Sequence, residues 1–136
     1  MLSVQNLEVV YQDVILVLRG VSFEVPKGQI VSLLGSNGSG KTTALRAITG
    51  LLDIQNGDVT KGKIFIEDEE ITNAQPSKIV QLGIAQVLEG RRIFSELTVR
   101  ENLRLGGFTA NESIDENIDR VFNLFPVLKD RDKNIA

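Results

Sequence analysis

The chain has no cysteine, no histidine and no tryptophan, and only one tyrosine and three prolines among its 136 residues. Without cysteine, disulfides and thiolate metal sites are excluded, and a reducing compartment is permitted. Long apolar runs are missing too. Stretches such as "VILVL", residues 14–18, are far too short to span a bilayer, and the start, "MLSVQNLEVV", has no basic segment ahead of an apolar core. Any link to a membrane would run through a partner. Positive charge is scarce: 15 Lys and Arg stand against 18 Asp and Glu, a net charge of −3, and the basic residues are scattered. The electrostatic footprint of a nucleic-acid binder is therefore lacking, and no nucleic-acid partner is expected. What is present is an ordinary globular composition, 42% hydrophobic and 24% charged, at the length of one domain.

The texture changes twice along the chain. From Leu2 to Leu34 it is rich in β-branched residues and broken by turns, and "SVQNLEVVY" and "VILVLRGVSFEV" read as half-exposed strands. Residues 30–34, "IVSLL", show no polar alternation, which predicts a strand buried on both faces. A glycine-rich loop follows, then "KTTALRAIT", a short helical pattern stopped by Gly50. "GKIFIEDEEI" predicts a hairpin turning near Asp68, "PSKIVQL" a helix opened by Pro76, and "GIAQVL" another strand. Beyond Glu89 the texture is helical. Thr98 with Glu101, and Ser113 with Glu116, each have capping-box spacing. Ile114, Ile118, Val121, Phe122 and Phe125 then share one helical face, ended by Pro126.

The loop is "GSNGSGKTT", Gly35 to Thr43. A strand, then glycines at Gly35, Gly38 and Gly40, then Lys41 and Thr42 opening a helix, is the setting that gives the G-x-x-x-x-G-K-[ST] pattern its meaning. Glycines let the backbone of Gly35, Ser36, Asn37, Gly38, Ser39 and Gly40 curl with its N–H groups inward, and the helix adds its positive end, so phosphates meet donors and a favourable dipole together. Lys41 would reach the β- and γ-phosphates, Thr42 would place its hydroxyl on Mg²⁺, and Thr43 would donate to the α-phosphate. The ligand expected is therefore ATP with Mg²⁺. The Asn-Lys-x-Asp reader of a GTPase is absent, while a small-molecule kinase stays open on the loop alone.

Tyr11 narrows the choice. With "VVYQD" upstream of the phosphate loop, the chain resembles the ATP-binding subunits of ABC transporters, where an aromatic ring at about this distance stacks on adenine. "LEGRRIFSELTVRENLRLGGF" resembles the segment that joins the catalytic core to the helical subdomain in that family. Its Glu-Gly-Arg-Arg form is similar to the branched-chain amino acid importers, with urea and amide importers close competitors. The resemblance covers essentially the whole chain. It implies an α/β fold of the P-loop NTPase, ABC type: an antiparallel β subdomain, the phosphate-loop strand and helix, and the start of a helical subdomain. Residues 1–88 would belong to the ATP-binding core, and residues 89–136 to the linking loop and helical subdomain. Aligning on "LTVRENL" puts Glu89 where most of the family has a Mg²⁺-touching glutamine, which makes it a candidate metal and catalytic group beside Lys41. Gln86 lies too early for that role and is expected to be structural. Arg91 and Arg92 would face a partner or solvent, and Thr98 and Glu101 are helix caps without chemistry.

The resemblance also implies parts that are not in these 136 residues: a Leu-Ser-Gly-Gly-Gln-like signature, an apolar strand ending in Asp-Glu, and a switch histidine. "IFIEDEE" imitates the acidic strand but falls where the family has a surface hairpin. The expectation is the N-terminal portion of a longer subunit, C-terminal half missing, able to bind ATP without efficient hydrolysis, with the apolar faces around residues 30–34 uncovered. In the intact family member the partners would be polytopic permease subunits, a second ATP-binding subunit and, indirectly, an external binding protein. The location would be the cytoplasmic face of the cell membrane. A nucleotide-binding remnant without transport activity, and a non-transport member of the superfamily, are the alternatives.

Overall fold

The computed structural model describes residues 1–90, 92–109 and 113–136. The chain forms two compact units, Met1–Ala85 and Gln86–Ala136, each with its own packing.

The first unit is built on an antiparallel sheet. β1 (Leu2–Tyr11) lies at its centre, hydrogen-bonded to β2 (Ile15–Val25) on one side and β3 (Gly57–Ile66) on the other, with the two-residue β4 (Glu69–Glu70) beyond β3. Both long strands expected from residues 3–25 are present, and so is the hairpin, whose turn is Glu67–Asp68. The alternation of β1 is broken once. Val4 is buried, Gln5 and Asn6 are exposed, and the inward phase resumes at Leu7 and Val9. Both pairings of β1 shift register across this point, where Asn6 has φ 50. A bulge inserts one residue and exchanges the two faces of the strand. Leu2 and Val4 before it, and Leu7, Val9 and Tyr11 after it, thus all pack on the core side.

That core face is covered by α1 (Lys41–Thr49), through Ala44, Ala47 and Ile48, and by Ile79 of α2 (Pro76–Gln81), with Leu52, Ile64 and Ile71 between them. α1 ends where Gly50 turns left-handed at φ 70, and α2 opens with Pro76 in its first turn, both as the sequence indicates.

Two expected strands are not formed. Residues 30–34 lie outside any strand, with Ile30 99% and Leu34 88% exposed, and residues 83–88 form no strand either, with Val87 99% exposed. A strand buried on both faces needs parallel neighbours and layers above and below it. Among the described residues no strand pairs with either segment, and Ile30, Leu34 and Val87 face solvent, whereas Ile84 packs against the core of the first unit. Gln86, expected within the second of these strands, is accordingly in irregular backbone.

The second unit holds α3 (Val99–Gly106), α4 (Ile114–Leu124) and α5 (Pro126–Asp130). The capping box at the head of α3 forms in full: the Glu101 N–H donates to Thr98 Oγ1 at 3.3 Å, and the Thr98 N–H donates to Glu101 Oε2 at 2.8 Å. The box expected at α4 does not form. Ser113 is the N-cap but its side chain makes no capping bond, and Asp115 and Glu116 in the first turn supply the negative charge that favours that helix end. Ile118 and Phe122 of the apolar face are buried, whereas Phe125 is 57% exposed at the break before Pro126. The chain's last residues return to α3: the Val99 and Arg100 N–H groups donate to Asn134 O and Asp132 O, and the Arg100 side chain grips the Asp132 carboxylate at 2.8 and 2.9 Å.

Candidate functional site

The glycine-rich loop runs into α1 as its chemistry requires. Gly38 and Gly40 have φ 82 and 90, a region L side chains avoid, and Gly40 is the N-cap of α1. A Cβ on Gly40 would also run into Leu18 of β2, and one on Gly35 into Ser39 Oγ. Ser36, Asn37, Gly38 and Ser39 are exposed, and the Ser39 N–H closes a turn on Ser36 O at 3.2 Å.

Lys41 folds back over this loop. Its ammonium donates to Gly35 O at 2.8 Å and to Ser36 O at 2.7 Å, with Ser39 Oγ at 3.5 Å, so the charge is held at the mouth by backbone carbonyls. The N-terminus of α1 has no side-chain cap and no acidic residue in its first turn. Orphan N–H groups and the positive end of the helix dipole are thereby left to an incoming anion. Thr42 is exposed beside it, whereas Thr43 belongs to the buried face of α1 at 8% exposure. The donor set suits a polyphosphate: the amides of an exposed glycine-rich loop, one ammonium and the exposed Thr42 hydroxyl, with no carboxylate in the loop or the first turn to repel it.

Tyr11 closes β1, paired with Ile15 of β2 and Gly57 of β3. The same hairpin carries Leu18 against Gly40, so Tyr11 and the loop are mounted on one strand pair. The ring is partly buried against the core and lines an open pocket with Gln12, Ile15, Gln55 and Asn56. Its hydroxyl is buried and, among the described residues, has no hydrogen-bond partner. Arg46 of α1 donates to Gln55 Oε1, tying the phosphate helix to the turn that leads into Gly57.

Glu89 lies in the second unit on an exposed bend, where its carbonyl accepts from Arg92 Nε at 3.2 Å and Gly90 follows with φ 89. Arg92 is exposed, and Arg91 lies outside the described residues. The acids of "IFIEDEE" are surface groups. Glu67 pairs with the N-terminal amine, Glu69 with Lys78 and Glu70 with Lys63, and the first and last of these partners hold the Glu67 and Glu70 carboxyls below their ordinary range. Among the described residues no group of three or more carboxylates, histidines or cysteines is placed to hold a metal ion.

Two residues escaped the sequence reading. Asn102 pins the loop ahead of α3, accepting from the Phe94 N–H and donating to the carbonyls of Phe94, Leu97 and Thr98. Gly57 lies directly under the Tyr11 ring. Asn102 reads as one more polar helix residue, and Gly57 after Asn56 reads as a turn, so neither gave a signal.

A glycine loop wrapped on a lysine, leading into an uncapped helix, has the arrangement of the phosphate-binding loops of P-loop nucleotide-binding folds. The sequence model of the ABC transporter family matches residues 18–136, and the chain belongs to that family. It is 44% identical over 122 residues to the high-affinity branched-chain amino acid transport ATP-binding protein BraG of Pseudomonas aeruginosa, covering 89% of this chain and 50% of that protein. It is 35% identical to the probable branched-chain amino acid transport ATP-binding protein LivF of Archaeoglobus fulgidus, over 83% of this chain and 46% of that one. The fold agrees with a solved ATP-binding subunit of an ABC transporter at TM-score 0.83 and 29% identity, covering 99% of this chain and 54% of that one. The chain thus spans about half the length of the relatives it matches. No helix among the described residues is long and apolar enough to cross a membrane.

Proposed function

We propose that the chain is the phosphate-binding part of an ABC importer ATPase subunit, and that it binds ATP with Mg²⁺. The observation that carries the proposal is Lys41 held over a loop of left-handed glycines at the uncapped head of α1. The amides of residues 35–41 cradle the phosphates, Lys41 neutralises the β- and γ-phosphates, the Thr42 hydroxyl turns to Mg²⁺ and Thr43 to the α-phosphate. Tyr11 offers its ring to the adenine. Glu89 is proposed, on the family resemblance, as a carboxylate directed to Mg²⁺. ATP supplies the phosphoanhydride whose cleavage drives the family's transport cycle.

Similarity to BraG and LivF supports a branched-chain amino acid importer, with a urea or amide importer as the alternative. In such an importer the subunit would lie at the cytoplasmic face of the membrane, docked on permease subunits and paired with a second ATP-binding subunit, an external binding protein acting indirectly. Coupling to transport would be reported by Glu89→Gln in the complete transporter, where an altered Mg²⁺ dependence is expected and wild-type kinetics would count against the Glu89 role.

For these 136 residues by themselves the proposal is binding without efficient hydrolysis, because Glu67, Glu69 and Glu70 of the hairpin are engaged in surface ion pairs and no histidine is present. Calorimetric titration with ATP·Mg²⁺ tests binding. Saturable uptake by the wild-type chain and at least a 100-fold loss in Lys41→Ala are expected, and equal affinities would refute the loop assignment. Phosphate release tests the rest: steady turnover that Lys41→Ala abolishes would overturn the claim of inefficient hydrolysis.

A further inference from the structure

Each of three strand positions in the first unit carries a glycine, and two of them have a backbone reason. Gly20 in β2 and Gly62 in β3 have φ 82 and 89, which L side chains rarely adopt. Gly57, at the start of β3, does not have a positive φ, so its backbone would accept any residue. What it lacks is room. A Cβ there would lie 2.5 Å from Cε1, 2.6 Å from Cδ1 and 3.2 Å from Cζ of Tyr11, its cross-strand partner.

We infer that Gly57 is a positioning residue for nucleotide binding: its bare backbone is the seat on which the Tyr11 ring rests with its outer face available to the base. This rests on the proposal that Tyr11 stacks on adenine. The backbone on the Gly57 side is fastened. The Gly57 N–H donates to Leu52 O at 3.1 Å, and the Gln12 N–H donates to Asn56 O at 2.8 Å. With the strand held, the ring is the part that must yield to an added methyl group. No hydrogen bond anchors the ring in return, because among the described residues its buried hydroxyl has no partner. The open pocket lined by Gln12, Ile15, Gln55 and Asn56 is where a displaced ring would go. A methyl group at position 57 would therefore rotate the stacking face away while leaving the phosphate loop untouched.

The chain's composition supplies the reporter: Tyr11 is the sole tyrosine and there is no tryptophan, so emission excited at wavelengths that phenylalanine does not absorb comes from this ring alone. The experiment compares wild type, Gly57→Ala, Tyr11→Ala, the double variant and Lys41→Ala, titrated with ATP and with inorganic tripolyphosphate, which has phosphates and no base. For Gly57→Ala, altered Tyr11 emission in the free chain and a loss of ATP affinity of at least about fivefold are expected, the size of one lost base stack. Tripolyphosphate affinity should stay within about twofold of wild type, and the Gly57→Ala change should add nothing in the Tyr11→Ala background.

Unchanged ATP affinity in Gly57→Ala, or an equal loss for both ligands, overturns the inference while leaving the stacking reading in place. Undiminished ATP affinity in Tyr11→Ala overturns the stacking reading and the inference together. Lys41→Ala separates both from failure of the phosphate loop, since it must weaken both ligands. If Gly57→Ala fails to fold, the double variant decides: its folding upholds a clash with the ring, and its failure refutes one.

Discussion

Tyr11→Phe should stabilise the protein without weakening nucleotide binding. The change removes one oxygen, and that oxygen, at the end of β1, is buried without a hydrogen-bond partner among the described residues. A buried hydroxyl deprived of water and of a partner costs about 1–3 kcal/mol. The ring itself stays, seated on Gly57 and packed against the edge of the core. Taking the low end because the ring borders an open pocket, the expected gain is about 1 kcal/mol, or roughly 4–6 °C in the melting temperature of a unit this size. Phenylalanine presents the same aromatic face, so ATP affinity should remain within about twofold. Thermal unfolding by far-ultraviolet circular dichroism and calorimetric titration read the two arms. A lower melting temperature for Tyr11→Phe would refute the reasoning, since it would mean that the hydroxyl is satisfied, for instance by an ordered water.

Gly40→Ala forces a side chain into φ 90 and drives its Cβ toward Leu18, so a loss of roughly 1–2 kcal/mol in stability and a marked loss of ATP affinity should appear together in melting and titration. Thr98→Ala should cost about 1 kcal/mol, read as faster hydrogen exchange in the first turn of α3. The Glu101 carboxyl is held below its ordinary 4.5, chiefly by the Thr98 N–H and then by its hydroxyl. A carboxyl whose folded-state value is depressed contributes stability that is fully present above the unfolded value and is lost as pH falls through the folded one. Exchange protection at the head of α3 should therefore fade only below about pH 4.5, and a carbon-detected titration of Glu101 with a midpoint at or above that value would contradict the cap.

The parts of this protein legible in its sequence are those whose physics is local. The phosphate loop must place glycines, a lysine and a helix start in fixed order, and Gly35 to Thr43 adopt that arrangement. The β3–β4 hairpin and the Thr98–Glu101 box likewise depend on residues a few positions apart. Residues 30–34 show the opposite case: their apolar pattern describes a strand covered on both faces, and pattern alone cannot supply the neighbours that make it one. The bulge at Asn6 was equally hidden, although it decides that Tyr11 shares the core side with Val4. Gly57 gave no signal because its reason is a ring on another strand, 46 residues earlier in the sequence (57 − 11).

Phosphorus NMR of ATP·Mg²⁺ with the wild-type and Lys41→Ala chains tests the central claim most directly, because it observes the phosphates themselves. The account predicts that the β- and γ-phosphorus resonances shift and broaden on adding the wild-type chain and return to their free positions with Lys41→Ala. Resonances that move equally with both chains, or with neither, would contradict a phosphate site built on this loop.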